Sequence, residues 1–146
     1  MNRSRISAKL RQQVAEDAGH HCGYCLLDEV LSGVSLAVDH IIPIALNGGT
    51  TRDNLWLACR SCNEFKGSKI QAEDPVTGQL APLFDPRRQD WSTHFRWSKD
   101  KTEIEGLTPT GRATVDALRL NRPALVHSRR RWVSVGWHPP KIGGGE

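Results

Sequence analysis

The sequence predicts an α+β fold: a short strand pair followed by a helix, flanked by two cysteine knuckles, with a further hairpin and helices downstream. Three observations predict it. Two β-rich runs, Leu36-Ala37-Val38-Asp39-His40-Ile41-Ile42-Pro43 and Leu55-Trp56-Leu57-Ala58, are separated by the turn-forming stretch from Asn47 to Asp53. The cysteines occur only as Cys22-Gly23-Tyr24-Cys25 and Cys59-Arg60-Ser61-Cys62, one knuckle on either side of those runs. Two later segments, led by Thr108-Pro109 and by Asn121-Arg122-Pro123, carry the chemistry of helix starts.

Taken in order, Ser7 can cap a helix that shows Leu10, Val14 and Ala18 at helical spacing and stops at Gly19. Its Lys9 and Arg11 are expected to be solvated. His20 and His21 precede the first knuckle; four thiolates already fill a tetrahedral site, so both histidines are expected at the surface. From Leu26 to Ser35 the chain reads as loop-like or weakly extended, with Gly33 as a turn signal. The strand from Leu36 to Pro43 sets Asp39 and His40 on opposite faces. A loop follows, then the strand Leu55 to Ala58, then the second knuckle and a helix over Asn63 to Ile70. The Pro and Gly of residues 74–78 and 82–86 read as a surface connector. His94 to Trp97 and Thr102 to Leu107, joined by a polar turn, predict a hairpin. The expected organisation is an N-terminal helix over 1–19, a core over 20–72, an extension over 73–140 and a disordered tail over 141–146.

At 146 residues the chain has room for about one domain with extensions. Apolar residues make up 38%, below the roughly 45–50% of an average globular chain, a figure that also counts glycine. The five tryptophans argue that real packing nevertheless occurs. A small core calls for a staple, and paired CxxC knuckles make a zinc site the leading reading. Two disulfides in a secreted protein are the alternative. Met1 to Ser7 carry charge with no apolar run behind it, so neither a signal peptide nor a membrane span is visible, and the reducing cytoplasm is the expected compartment. The net charge is +4 and uneven: Arg112, Arg119, Arg122, Arg129, Arg130 and Arg131 face Asp116 alone. Such a block suits a protein that meets phosphate, although a solvated basic face gives the same pattern.

The spaced set Cys22-x-x-Cys25, Val38-Asp39-His40-Ile41-Ile42-Pro43, Asn54-Leu55 and Cys59-x-x-Cys62-Asn63-x-x-Lys66 resembles the zinc-bearing branch of the HNH endonucleases. The resemblance runs from about residue 22 to residue 70. It implies a ββα-metal (His-Me finger) core in which one divalent cation is clamped between the first strand and the helix. On that pattern Asp39 and Asn63 are the ligands of a catalytic Mg²⁺ or Mn²⁺, His40 is the general base, and Asn54 ties the loop so that His40 stays aimed at its water. Cys22, Cys25, Cys59 and Cys62 would hold a structural Zn²⁺. Downstream, Trp91, His94, Phe95 and Trp97, with the runs Leu83 to Arg87 and Gly106 to Arg112, resemble the extension of stand-alone bacterial HNH proteins.

The chemistry accounts for each residue type. A phosphodiester repels hydroxide, so hydrolysis needs a water deprotonated in place and a cation that stabilises the crowded phosphate. Histidine titrates near neutrality and suits the proton transfer. Hard oxygen ligands suit Mg²⁺ or Mn²⁺, and four soft thiolates suit zinc with no open position. Asn63 stands where the family name has its last histidine; it keeps an oxygen donor and resembles the arrangement in phage endonuclease VII, a junction resolvase. The expected function is a metal-dependent DNA endonuclease, with Arg60, Lys66 and Lys69 as DNA-contacting residues. The alternatives are a zinc-stapled nucleic-acid-binding module without activity and a nuclease specific for branched DNA. No membrane association is expected.

Overall fold

The computed structural model describes residues 6–141. Both the expected tail from residue 142 on and the charged start from residues 1 to 5 lie outside the described residues. The chain forms two units, one of residues up to Ile70 together with Asp85–Arg88, the other of Gln71–Phe84 and the residues from Gln89 on. Asp85–Arg88, within the expected extension, therefore group with the first unit.

The first unit begins with α1 (Ala8–Asp17), whose Ser7 cap accepts a hydrogen bond from the Leu10 amide at 3.1 Å. Val14 is fully buried, and α1 lies against the second strand. Arg11 is not simply solvated, since it donates to the Leu36 carbonyl at 2.6 Å. A short helix, α2 (Glu29–Ser32), replaces the expected loop. Asp28 caps it, accepting from the Val30 and Leu31 amides, and Gly33 ends it in the left-handed conformation. His21 is also not at the surface as expected: its side chain is 17% exposed and lies 3.5 Å from Asp28.

Strands β1 (Ala37–His40) and β2 (Leu55–Ala58) pair antiparallel, with Asp39 opposite Trp56 and His40 opposite Leu55. β1 is shorter than the apolar run that announces it, because after Ile41 the chain turns into two single-turn 3-10 helices, Ile44–Leu46 and Arg52–Asn54. Helix α3 (Arg60–Lys66) starts inside the second knuckle, three residues earlier than expected, because the Cys59 sulfur acts as its cap and accepts from the Cys62 amide. Asp17 fastens the end of α1 to two later segments. It receives both Nε and Nη2 of Arg52, at 2.9 and 2.8 Å, and Nη2 of Arg87 at 3.0 Å. Arg87 also donates to the Leu55 carbonyl and lies over the Trp56 ring at 4.8 Å.

The second unit opens with a hairpin where a surface connector was expected: β3 (Gln71–Glu73) and β4 (Leu80–Pro82). The Asp74 carboxylate organises its turn, accepting from the Val76 amide and the Thr77 hydroxyl while Arg112 donates to it through Nε and Nη2. After α4 (Trp91–His94), β5 (Phe95–Trp97) and β6 (Ile104–Gly106) form the expected hairpin. Helices α5 (Pro109–Ala117) and α6 (Pro123–Ser134) both start at proline. Thr108 caps α5 through the Gly111 amide at 3.0 Å. Phe84, Trp91, Phe95, Ile104, Leu118 and Leu125 are buried in this unit. Two members of the basic block are structural: Arg112 is held by Asp74, and Arg129, 1% exposed, donates to the Thr102 and Leu120 carbonyls.

Candidate functional site

All four cysteines are buried and free of disulfides, and their sulfurs lie within 4.8 Å of one another. Cys25 and Cys59 are 3.7 Å apart. A tetrahedral site with Zn–S bonds of about 2.3 Å has sulfur–sulfur edges of about 3.8 Å, so the cluster has the size of a zinc tetrathiolate. Backbone amides already point at the sulfurs: Tyr24 donates to Cys22 at 3.5 Å and Cys62 to Cys59 at 3.4 Å. Without an ion the four thiols compete for protons. Burial pushes Cys22 up and the neighbouring thiols push Cys62 up, whereas hydrogen bonds from those same neighbours hold Cys25 and Cys59 down. A cation would relieve the conflict by binding all four as thiolates. The disulfide alternative is set aside in favour of a metal-binding cluster.

β1 runs from this cluster to Asp39 and His40. Pairing with β2 leaves Asp39 2% exposed, and burial pushes its carboxyl above the ordinary carboxylate range against the pull of Lys66 and Tyr24. Tyr24, within the first knuckle, donates its hydroxyl to Asp39 Oδ2 at 2.8 Å. Lys66, at the end of α3, brings its ammonium 3.4 Å from Asp39 Oδ1 and donates to the carbonyls of His40 and Ile41 at 3.0 and 3.2 Å. The expectation that Lys66 contacts DNA is therefore corrected: at 2% exposure its charge is spent inside the fold, on the strand that carries Asp39. Arg60 and Lys69 are both exposed; Arg60 stands 3.8 Å from Glu64, and Lys69 donates to the Phe65 carbonyl.

Beyond the strand, the buried side chain of Asn54 closes the turn. Its Oδ1 accepts from the Ile42 amide at 2.9 Å, and its Nδ2 donates to the Ile42 and Gly49 carbonyls at 3.0 and 2.8 Å. Gly48 makes the approach possible, since a Cβ there would fall 1.7 Å from the Ile42 carbonyl oxygen. His40 is half-buried, and its Nε2 lies 2.9 Å from the Thr50 hydroxyl. Asn63 is half-buried in the first turn of α3, one helical turn before Lys66 and so on the same face of the helix.

Asp39 and Asn63 thus stand on the two elements that Lys66 joins. A carboxylate has about four lone-pair positions, and Tyr24 and Lys66 occupy two of them, which leaves Asp39 two; by donor chemistry a carboxylate and an amide oxygen are hard ligands of the kind Mg²⁺ or Mn²⁺ takes. Sequence reasoning missed Tyr24, Thr50 and the true task of Lys66. Tyr24 could have been found as a hydroxyl-bearing aromatic inside a knuckle that must be buried. Thr50 has no signal in a loop full of polar residues.

Among the described residues, no helix is long and apolar enough to cross a membrane. The family model described as HNH endonuclease matches residues 22–69, a segment that holds both knuckles, β1, β2 and α3. No curated protein and no solved structure matches.

Proposed function

We propose, from the premise that residues 22–69 form an HNH nuclease domain, that this chain is a metal-dependent endonuclease hydrolysing DNA phosphodiesters. The observation that carries the reading is the junction of three elements at one point. Asp39 is buried at the end of β1, α3 is strapped to it through Lys66, and the turn beyond His40 is closed by Asn54. Asp39 and Asn63 would hold Mg²⁺ or Mn²⁺, which supplies charge stabilisation to the phosphate and the departing oxygen. His40 accepts the proton of the attacking water, and Asn54 keeps the backbone that follows that base from shifting. Exposed Arg60 and Lys69 neutralise backbone phosphates. Four free thiols gathered for a metal suit a reducing compartment, the cytoplasm in the simplest case.

Purified chain incubated with supercoiled plasmid and Mg²⁺ or Mn²⁺ is expected to give nicked or linear product, and the His40→Ala chain to give none. Cleavage that survives chelation of the added cation, or that His40→Ala leaves intact, would defeat the reading. Strict dependence on Ni²⁺ would count against oxygen ligation by Asp39 and Asn63.

One observation favours a second reading, a zinc-stapled nucleic-acid-binding module without activity: Lys66 already brings a positive charge to the buried carboxylate. Calorimetric titration with Mn²⁺ separates the two. The enzyme binds the ion through Asp39 and loses it in Asp39→Ala, whereas the module binds DNA and shows no such Mn²⁺ site.

A further inference from the structure

Helix α6 turns Leu125 and Arg129 into the second unit, where both are buried. Its opposite side is exposed at His127, Arg130, Arg131 and Ser134. At about 100° per residue, His127 and Ser134 share the outermost ridge, with Arg130 flanking it on one side and Arg131 on the other. No Asp or Glu stands between Asp116 and Glu146, so neither arginine has an acidic neighbour three or four positions away on the helix. Other arginines of the chain are spent on carboxylates: Arg52 and Arg87 meet Asp17, Arg88 meets Asp85, Arg96 meets Glu105 and Arg112 meets Asp74. Among the described residues, Arg130 and Arg131 form no such ion pair. Asp100, on the β5–β6 turn, is lowered chiefly by hydrogen bonds from the hydroxyl and amide of Thr102 and from the Ser98 hydroxyl, and Arg130 adds to this by charge alone. The helix dipole favours a cation in the last turn, where Arg131 lies, but gives no reason for Arg130 or for the lack of acids.

We propose that the outer side of α6 docks in the major groove of duplex DNA, with Arg130 and Arg131 each neutralising a phosphate on opposite walls. The proposal deepens the nuclease reading, on which it rests for DNA as the substrate, by giving the second unit a share in holding it. An α-helix with its side chains is about 10–12 Å across, and the major groove of B-form DNA is about 12 Å wide. The deep, narrow major groove of an A-form RNA duplex does not admit such a helix. Two cations that diverge from the outer ridge reach the two groove walls, and His127 and Ser134 between them face the base edges. Contacts of this kind fix register on the duplex without reading sequence.

The test measures binding of the full chain to a fluorescein-labelled 20-bp DNA duplex, and to an RNA duplex of the same sequence, by anisotropy between 50 and 200 mM KCl with no divalent cation added. On DNA, Arg130→Gln/Arg131→Gln is expected to lower the slope of log K against log salt by roughly 2 in magnitude and to weaken binding roughly tenfold at 100 mM. Arg130→Lys/Arg131→Lys keeps both charges and is expected to keep the slope. Arg131→Gln alone should cost about one unit of slope, and Lys9→Gln, which removes one charge from α1, close to none. Both arginines are exposed and glutamine sustains a helix, so an unchanged near-ultraviolet tryptophan spectrum is expected in each variant. A slope that the glutamine pair leaves unchanged, an equal loss on the RNA duplex, or a Lys9→Gln effect as large as that of Arg131→Gln overturns the proposal. A chain that shows the arginine dependence yet never cuts plasmid upholds the docking of α6 and overturns the nuclease reading. Cleavage that needs His40, with the slope unchanged in the glutamine pair, does the reverse.

Discussion

Lys66 lies inside the first unit, 2% exposed, where its sequence context reads as surface. As one of two lysines soon after a knuckle it reads as a surface cation, yet its ammonium is buried among a carboxylate and two carbonyls. Removing one member of a buried ion pair strands the other. Lys66→Met is therefore expected to destabilise the first unit by about 3 kcal/mol, read as a lower urea midpoint with unchanged slope. Lys66→Met should be more costly than Tyr24→Phe, which removes one neutral donor from the same carboxylate, at about 1 kcal/mol. A Lys66→Met chain as stable as the wild type would show that Asp39 finds its balance elsewhere.

At the scale of elements, α1 is tied to the Arg52 turn and to Arg87 through one carboxylate. Hydrogen bonding from Arg52 is the chief cause that lowers the Asp17 carboxyl to about 2, with Arg87 adding to it. A folded-state value below the unfolded one gives stability that is present above pH 4 and is lost as the pH falls through 2. At 19% side-chain exposure the contribution comes to about 1–2 kcal/mol after solvent screening. Asp17→Asn is expected to lower stability at pH 7 and to flatten the acid limb between pH 4 and pH 2; parallel limbs in the two chains would exclude the linkage. These ties also mark what the sequence could express. β2, the Thr108 cap and the proline starts of α5 and α6 were legible because their signals lie within a few residues. The cap of α2 is local too, in Asp28-Glu29, but the helix between it and Gly33 is a single turn, too short to show a periodicity. Lys66, Thr50 and Arg87 were illegible because their partners lie 10 to 70 positions away, where periodicity carries no information.

For the whole molecule, the HNH match, the cysteine cluster and the junction of β1, β2 and α3 fall in one unit, and the second unit has its own aromatic core. The chain is expected to carry one equivalent of zinc. Stripping it with a strong chelator should lower the calorimetric transition of the first unit, which contains Trp56 alone of the five tryptophans, while the other four stay in a folded environment. Zinc that leaves without moving either transition would mean the knuckles are no staple. The return of Asp85–Arg88 has a further consequence, for the order of events during synthesis. A chain released from the ribosome as far as Ile70 possesses every residue of the HNH segment but not Arg87, whose guanidinium bridges Asp17 and Leu55. The segment matched by the family model is continuous in sequence, but the unit that holds it is not, because Asp85–Arg88 join it from beyond the β3–β4 hairpin and are translated after it.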